Sequence, residues 1–282
     1  MIDMVTGGVS RAREQAADAG QKLQTGLKVA RPSDDASAWA EGQRAAARQV
    51  VSQNRGSSIA RARDRLNEVD GALGGVGSVL AQVTELAVQF GNDTYNATDR
   101  AEGAKVVLAL RDAALASANA STGDGEYVLA GTKGGAPPFD AGGNYVGDAG
   151  ARNIEVGDGK NLVSTMPGSA LTAAAGVDVF GVIAKVAAAL DANDPAALRA
   201  SLTDLRAATA QVADARAEVG GRMKALDSAD EIRQNFEEGL ASTKARATET
   251  DPIAGASELA RASSALDASR TVAQQIISIL RG

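Results

Sequence analysis

Residues 259–280, LARASSALDASRTVAQQIISIL, carry the reading that decides the fold. Leu259, Ala262, Leu266, Ser269, Ala273, Ile276 and Leu280 follow one another at alternating steps of three and four. That spacing holds one narrow stripe on one side of a helix, as in a coiled-coil seam. The start of the chain repeats it with Ile2, Val5, Val9, Ala12, Ala16, Ala19 and Leu23. Neither helix can bury its own stripe, so each needs a partner, and the simplest partner is the other. The two ends therefore read as a helical pair and as the assembly device of the protein.

Between the ends, four more helical stretches are expected. The longest seam runs Ile59, Ala62, Leu66, Val69, Leu73, Val76, Leu80, Val83, Ala87 and Phe90, within a helical region from about residue 38 to 90. Gly71, Gly74, Gly75 and Gly77 fall inside it, each costing about 1 kcal/mol against Ala. They either admit a neighbouring backbone at close range or soften the helix, and the sequence leaves both open. A third helix, capped by Thr98 or Asp99 and reaching Ala120, would pack back as a hairpin through Val107, Leu110 and Ala114. Later, Phe180, Ile183, Val186 and Leu190 share one face. Asp194-Pro195 then supplies an N-cap and a first-turn proline for a helix running to about Thr248. Thr250-Asp251-Pro252 breaks the chain before the final helix.

Composition changes at Ser121–Gly125. Up to about Ser169 the chain is rich in Gly and Pro, with short β-type runs at Tyr127–Ala130, Asn144–Val146, Asn153–Val156 and Leu162–Thr165. Asp158-Gly159 between the last two is a hairpin signal. The fold class expected is mainly α, an elongated antiparallel helical rod or coiled-coil bundle with paired N- and C-terminal helices and a small β-rich insertion. Its domains would be a terminal assembly region (1–35 and 250–282), a helical rod (36–122 and 176–249) and a small outer domain (123–175).

The chain has 282 residues, enough for two or three modest domains. Aromatic residues make up only 3% of it, which suits thin helix–helix contacts better than one bulky core. It contains neither Cys nor His, which removes disulfides, thiolate metal sites, the usual general base and the Ser-His-Asp triad. A net charge of −6 argues against a nucleic-acid footprint. No run approaches the ~18–20 apolar residues of a membrane span, and no membrane insertion is expected. The start lacks the basic and apolar regions of a cleaved signal peptide, a pattern shared by cytoplasmic proteins and by proteins exported without one. No cofactor or metal site is expected. Asp34 and Asp35 could suggest a cation, but nothing nearby completes an oxygen cage, and a loop with a helix cap is the plainer reading. Asp140, Asp148 and Asp158 could serve a carboxylate enzyme only if two of them flanked a substrate, and they read instead as turn residues.

The stretch Leu23–Ala36, with Arg31-Pro32-Ser33-Asp34-Asp35 at its centre, resembles the N-terminal signature of the bacterial flagellin family. Gly125–Gly131 with Pro138-Phe139, the helical stretch 92–120, Arg216–Arg222 and the stretches 249–259 and 265–269 resemble the hook–filament junction branch of that family. Two features depart from the pattern. Pro252 interrupts an expected helix, and Gln274–Arg281 resembles the end of a filament flagellin. The resemblance implies a non-enzymatic subunit, exported unfolded by the flagellar type III apparatus and polymerising outside the cell in a ring or tube. Its implied partners are further copies of itself, the first hook-associated protein, flagellin and a flagellar export chaperone. A filament flagellin and a non-flagellar helical binding module are the competing readings.

Overall fold

The computed structural model describes residues 2–281, with side chains described from 6 to 279. The elements run α1 (Ile2–Thr25), α2 (Ala36–Phe90), α3 (Ala97–Ala118), β1 (Asn153–Gly157), β2 (Lys160–Val163), α4 (Val179–Asp191), α5 (Pro195–Thr248) and α6 (Pro252–Arg281). Two short 3-10 turns, Gly168–Leu171 and Ala173–Ala175, lead into α4. The protein is mainly α, with one antiparallel two-stranded hairpin among the described residues. It divides into two compact units, residues 1–52 with 234–282, and residues 53–233.

In the first unit α1 and α6 pack against each other. Gly26, at φ +71°, ends α1 in the left-handed conformation that glycine adopts most readily. The chain then pairs with the end of α5: Lys28 and Val29 N–H donate to Thr248 O, and Thr250 N–H donates to Gly26 O. The Asp35 carboxylate accepts from Ser37 and Ala38 N–H and caps α2. Asp251 does the same for α6 through Ile253 and Ala254 N–H, with Pro252 in the first helical position.

In the second unit the expected seam of α2 forms the core. Ile59 through Ala87 are almost fully buried at every seam position, and Phe90 packs on their edge. They meet Leu198, Leu205, Val212, Val219 and Leu226 of α5, Val107 and Ala114 of α3, and Phe180, Ile183, Val186 and Leu190 of α4. Helices α2 and α3 form a hairpin: a Cβ at Gly75 would lie 2.7 Å from Ser117 Oγ, and one at Gly103 2.7 Å from the Phe90 ring. Gly75 is thus a close-approach site.

Two local expectations need correction. Helix α3 is capped by Asn96, not Thr98 or Asp99; Asn96 Oδ1 accepts from Asp99 N–H while Asp99 Oδ2 accepts from Asn96 N–H, a reciprocal capping box. The capping oxygen lies one turn earlier because Asp99 works as the third helical residue. Tyr127–Ala130 and Asn144–Val146 are not strands. Left-handed glycines at Gly131 (φ +70°) and Gly143 (φ +87°) turn the chain beside them. Their backbone groups pair singly instead, Tyr127 N–H with Gly134 O and Val146 N–H with Pro138 O. Only Asn153–Gly157 and Lys160–Val163 form a ladder, closed by Asp158-Gly159 with Gly159 at φ +72°.

The insertion is fastened to the helices by arginines. Arg55 Nη2 contacts Glu155 at 2.6 Å and Asp158 at 2.8 Å, Glu126 pairs with both Arg65 and Arg152, and Arg222 donates to Thr165 O. The two arginines hold the Glu126 carboxyl below the ordinary range, with the hydrogen bond from Arg152 the larger cause.

Candidate assembly surface

Helices α1 and α6 run antiparallel. A Cβ at Gly255 would lie 3.3 Å from Leu23 Cδ1, one at Gly20 would lie 3.8 Å from Leu259 Cδ1, and Gly8 and Val9 border Ala268, Ser269 and Val272. Of these glycines only Gly255 is tightly packed, against the Leu23 side chain.

On α1, Ala12 and Ala19 are buried, and Val9, Ala16 and Leu23 are half-buried. On α6, Leu259, Ala262, Leu266, Ser269, Ala273 and Ile276 are all half-buried, while most of the positions between them are exposed. The side chains of Ile2, Val5 and Leu280 lie outside the described residues. The described stripe of each helix thus faces the other helix, yet none of the described seam residues of α6 is fully buried.

Apolar side chains outside the seam were not legible as a group. Val272 is 51% exposed, Ile277 45% and Ile279 77%, and Ile253, in the first turn of α6, is 80% exposed. A groove of about 280 Å³ runs beside Val272, lined by Gly8, Val9, Ala268 and Ser269. The only signal in the sequence was the run Ile276-Ile277-Ser278-Ile279-Leu280, too apolar for a helix with a single narrow stripe.

The loop Arg31–Asp35 is held by its two carboxylates, which point to different backbone groups. Asp34 Oδ2 accepts from Ala30 and Arg31 N–H, both at 2.9 Å, and these bonds hold its carboxyl below the usual range. Asp35 turns the other way, onto α2. Arg31, Pro32 and Ser33 are exposed at the turn between them. Lys22 pairs with Asp18 at 2.7 Å beneath this loop, and that bond raises the Lys22 pKa. Lys28 Nζ reaches Arg246 O at 2.5 Å. These contacts set the loop at the base of the α1–α6 pair.

The aspartates weighed for hydrolysis are each engaged separately. Asp140 accepts from Asn144 N–H and Nδ2, and Asp148 from Thr132 N–H, Thr132 Oγ1 and Gly150 N–H. Asp158 is the outer partner of Arg55. All three fasten turns or the hairpin.

The chain is thus a mainly helical protein whose first and last helices lie antiparallel, with a loop-and-hairpin insertion between long helices. Residues 6–134 match the model of the bacterial flagellin N-terminal helical region. Flagellar hook-associated protein 3 of Salmonella typhimurium is 30% identical over 166 residues, covering 58% of this chain and 52% of that protein. The matched part thus spans about half the length of that relative. The Escherichia coli protein of the same name is 27% identical over 251 residues, 80% of this chain and 78% of that one. A structure assigned as a flagellar hook-associated protein from Vibrio parahaemolyticus superposes with a TM-score of 0.70 at 23% identity, over 77% of this chain and all of that one. Residues 6–134 thus resemble the bacterial flagellin N-terminal helical region, and the chain is similar to flagellar hook-associated protein 3.

Proposed function

We propose that the chain is a structural subunit of the bacterial flagellum, a hook–filament junction protein with no catalytic step of its own. It polymerises through α1 and α6 and connects the hook-associated ring to the filament. Its partners are copies of itself, the first hook-associated protein and flagellin, with a flagellar export chaperone holding it before secretion through the type III apparatus. The assembled protein stands outside the cell.

The observation that carries this reading is the incomplete burial of the terminal seam. A paired helix with every described seam residue only half-buried, and with Val272, Ile277 and Ile279 exposed beside it, has apolar surface left for a further helix. Burying an exposed Ile or Val is worth roughly 1.5–3 kcal/mol. Helices in proteins draw most of their stability from packing an amphipathic face rather than from propensity, so association supplies stability that the half-covered stripe of the single chain lacks.

Deletion of Leu259–Leu280 tests the reading. The shortened protein is expected to be made and exported but to be absent from isolated hook–filament junctions. Normal incorporation of that protein would refute assembly through the seam.

A further inference from the structure

The glycines of α2, α3 and α5 include two kinds. Gly75 and Gly103 stand where another element presses in, against Ser117 and Phe90. Like Gly239 in the first unit, Gly71, Gly220 and Gly221 of the second stand in helix interiors where a Cβ would meet nothing within 4 Å. Packing gives no reason for glycine at these three positions. Each weakens its helix, because glycine loses more backbone freedom than any other residue on becoming helical.

The three occupy nearly one level of the second unit. Helices α2 and α5 run antiparallel there, with Arg63 paired to Asp227, Asp70 to Arg216, and Gly77 facing Val212. On that register Gly220 and Gly221 lie across from residues about one helical turn from Gly71. The same level marks a change in the surroundings. Helix α3 ends beside it, with Ser117 against Gly75. Helix α4 begins beside it, where Gln211 Oε1 accepts from Val177 N–H at 2.8 Å and Gln211 Nε2 donates to Ala170, Thr172 and Val177 carbonyls. To one side α2 and α5 are braced by two further helices. To the other they are flanked by the loops and hairpin that Arg65, Arg55 and Arg222 tie down.

We propose that Gly71, Gly220 and Gly221 form a hinge level at which α2 and α5 bend together. The four-helix portion resists bending because its helices interlock, and the softest turns of the two long helices lie where that bracing stops. The Asp70–Arg216 pair beside Gly71 keeps the helices in register while they flex. The inference stands on the geometry of the single chain and does not depend on the assembly reading.

The test uses the absence of cysteine from the sequence, so that Ser57→Cys and Gln82→Cys introduce the only two thiols. Both positions are exposed on α2, one on either side of the hinge level, and roughly 38 Å apart for an unbent helix at ~1.5 Å per residue. Spin labels there are expected to give a broad distance distribution in the parent and a narrower one in the Gly71→Ala, Gly220→Ala, Gly221→Ala variant. Amide exchange over 216–226 is expected to be faster than over 200–212 in the parent, and to slow roughly fivefold for each glycine replaced, the factor set by the Gly–Ala difference in a helix. A parent in which 216–226 is as protected as 200–212, or a distance distribution unchanged in the triple variant, would overturn the hinge.

Discussion

Arg216 grips Asp70 with two parallel hydrogen bonds, Nε to Oδ1 at 2.8 Å and Nη2 to Oδ2 at 2.9 Å, joining α5 to α2 across 146 residues of sequence. The fork of a guanidinium fits a carboxylate in this two-point manner, so the contact fixes the relative register of the helices as well as adding attraction. The Arg216 bond holds the Asp70 carboxyl below its ordinary value. A depressed carboxylate contributes stability that is present above its unfolded value, about 3.9, and is lost as pH falls through the lower folded value. Asp70→Asn should therefore lower the Tm of the parent at neutral pH, with the gap between the two narrowing below about pH 4. Both side chains are partly exposed, 32% and 47%, so the neutral-pH loss should stay near ~0.2–1 kcal/mol. Thermal melts of both proteins between pH 7 and pH 3 read it directly, and a gap that widened on acidification would contradict the sign.

Arg100 presents the opposite situation, a buried cation held by three uncharged oxygen acceptors. Its Nε donates to Phe90 O at 3.0 Å, Nη2 to Asn92 O at 2.9 Å and Nη1 to Asn193 Oδ1 at 2.5 Å. Phe90 O is a terminal carbonyl of α2, where the helix dipole favours positive charge. Asn193 is held at φ +50°, the one described non-glycine residue in the left-handed region. Arg100→Met would fill part of the volume but strand three acceptors, each costing about 1–3 kcal/mol if left buried and unpaired. A loss of at least ~2 kcal/mol in urea unfolding is expected, with the slope of the transition unchanged. A variant as stable as the parent would mean that water reaches these carbonyls.

The periodic parts of the chain were legible because burial in a helix leaves a period. The seam from Ile59 to Ala87 lies in the core at each position, and Asp194-Pro195 and Asp251-Pro252 start helices through side-chain capping. The α1–α6 pair was legible in the same way, from two stripes that no single helix could cover. Arg100 and Asn193 were not legible. An isolated arginine in a polar stretch has no pattern, and its acceptors are backbone carbonyls that any sequence supplies. Tyr127–Ala130 misled because a short apolar run is buried equally well in an irregular loop: Val128 and Leu129 are fully buried without belonging to a sheet. The exposed Ile277 and Ile279 escaped notice because periodicity marks what a stripe contains, not the apolar residues beside it.

Asp34 and Asp35 are adjacent, but their substitution should separate cleanly. Asp34→Ala removes the acceptor for Ala30 and Arg31 N–H, so those two amides should exchange faster while the first turn of α2 stays protected. Asp35→Ala removes the cap of α2 and should cost about 1 kcal/mol, with faster exchange at Ser37 and Ala38. Identical exchange patterns in the two variants would mean that the loop opens as one unit, and the two carboxylates would lose their separate roles.

Leu73 and Leu266 contrast a seam buried within the chain with one left half open. Leu73 is fully buried among the helices of the second unit, so Leu73→Ala should destabilise the monomer by about 2–5 kcal/mol. Leu266 is half-buried on α6 and has less contact to lose, so Leu266→Ala should cost the monomer about 1 kcal/mol, toward the small end for a partly buried side chain. Polymerisation should reverse the order if α6 gains a neighbour on assembly, because the Leu266 side chain would then lose a second set of contacts in every subunit. Light scattering at matched fractions of folded protein measures this. Leu73→Ala should assemble once folded, and Leu266→Ala should require a several-fold higher concentration, since each 1.4 kcal/mol of lost contact is tenfold in association. Equal critical concentrations for Leu266→Ala and the parent would leave the α1–α6 stripe as internal packing alone and move the search for the assembly contact to Val272, Ile277 and Ile279.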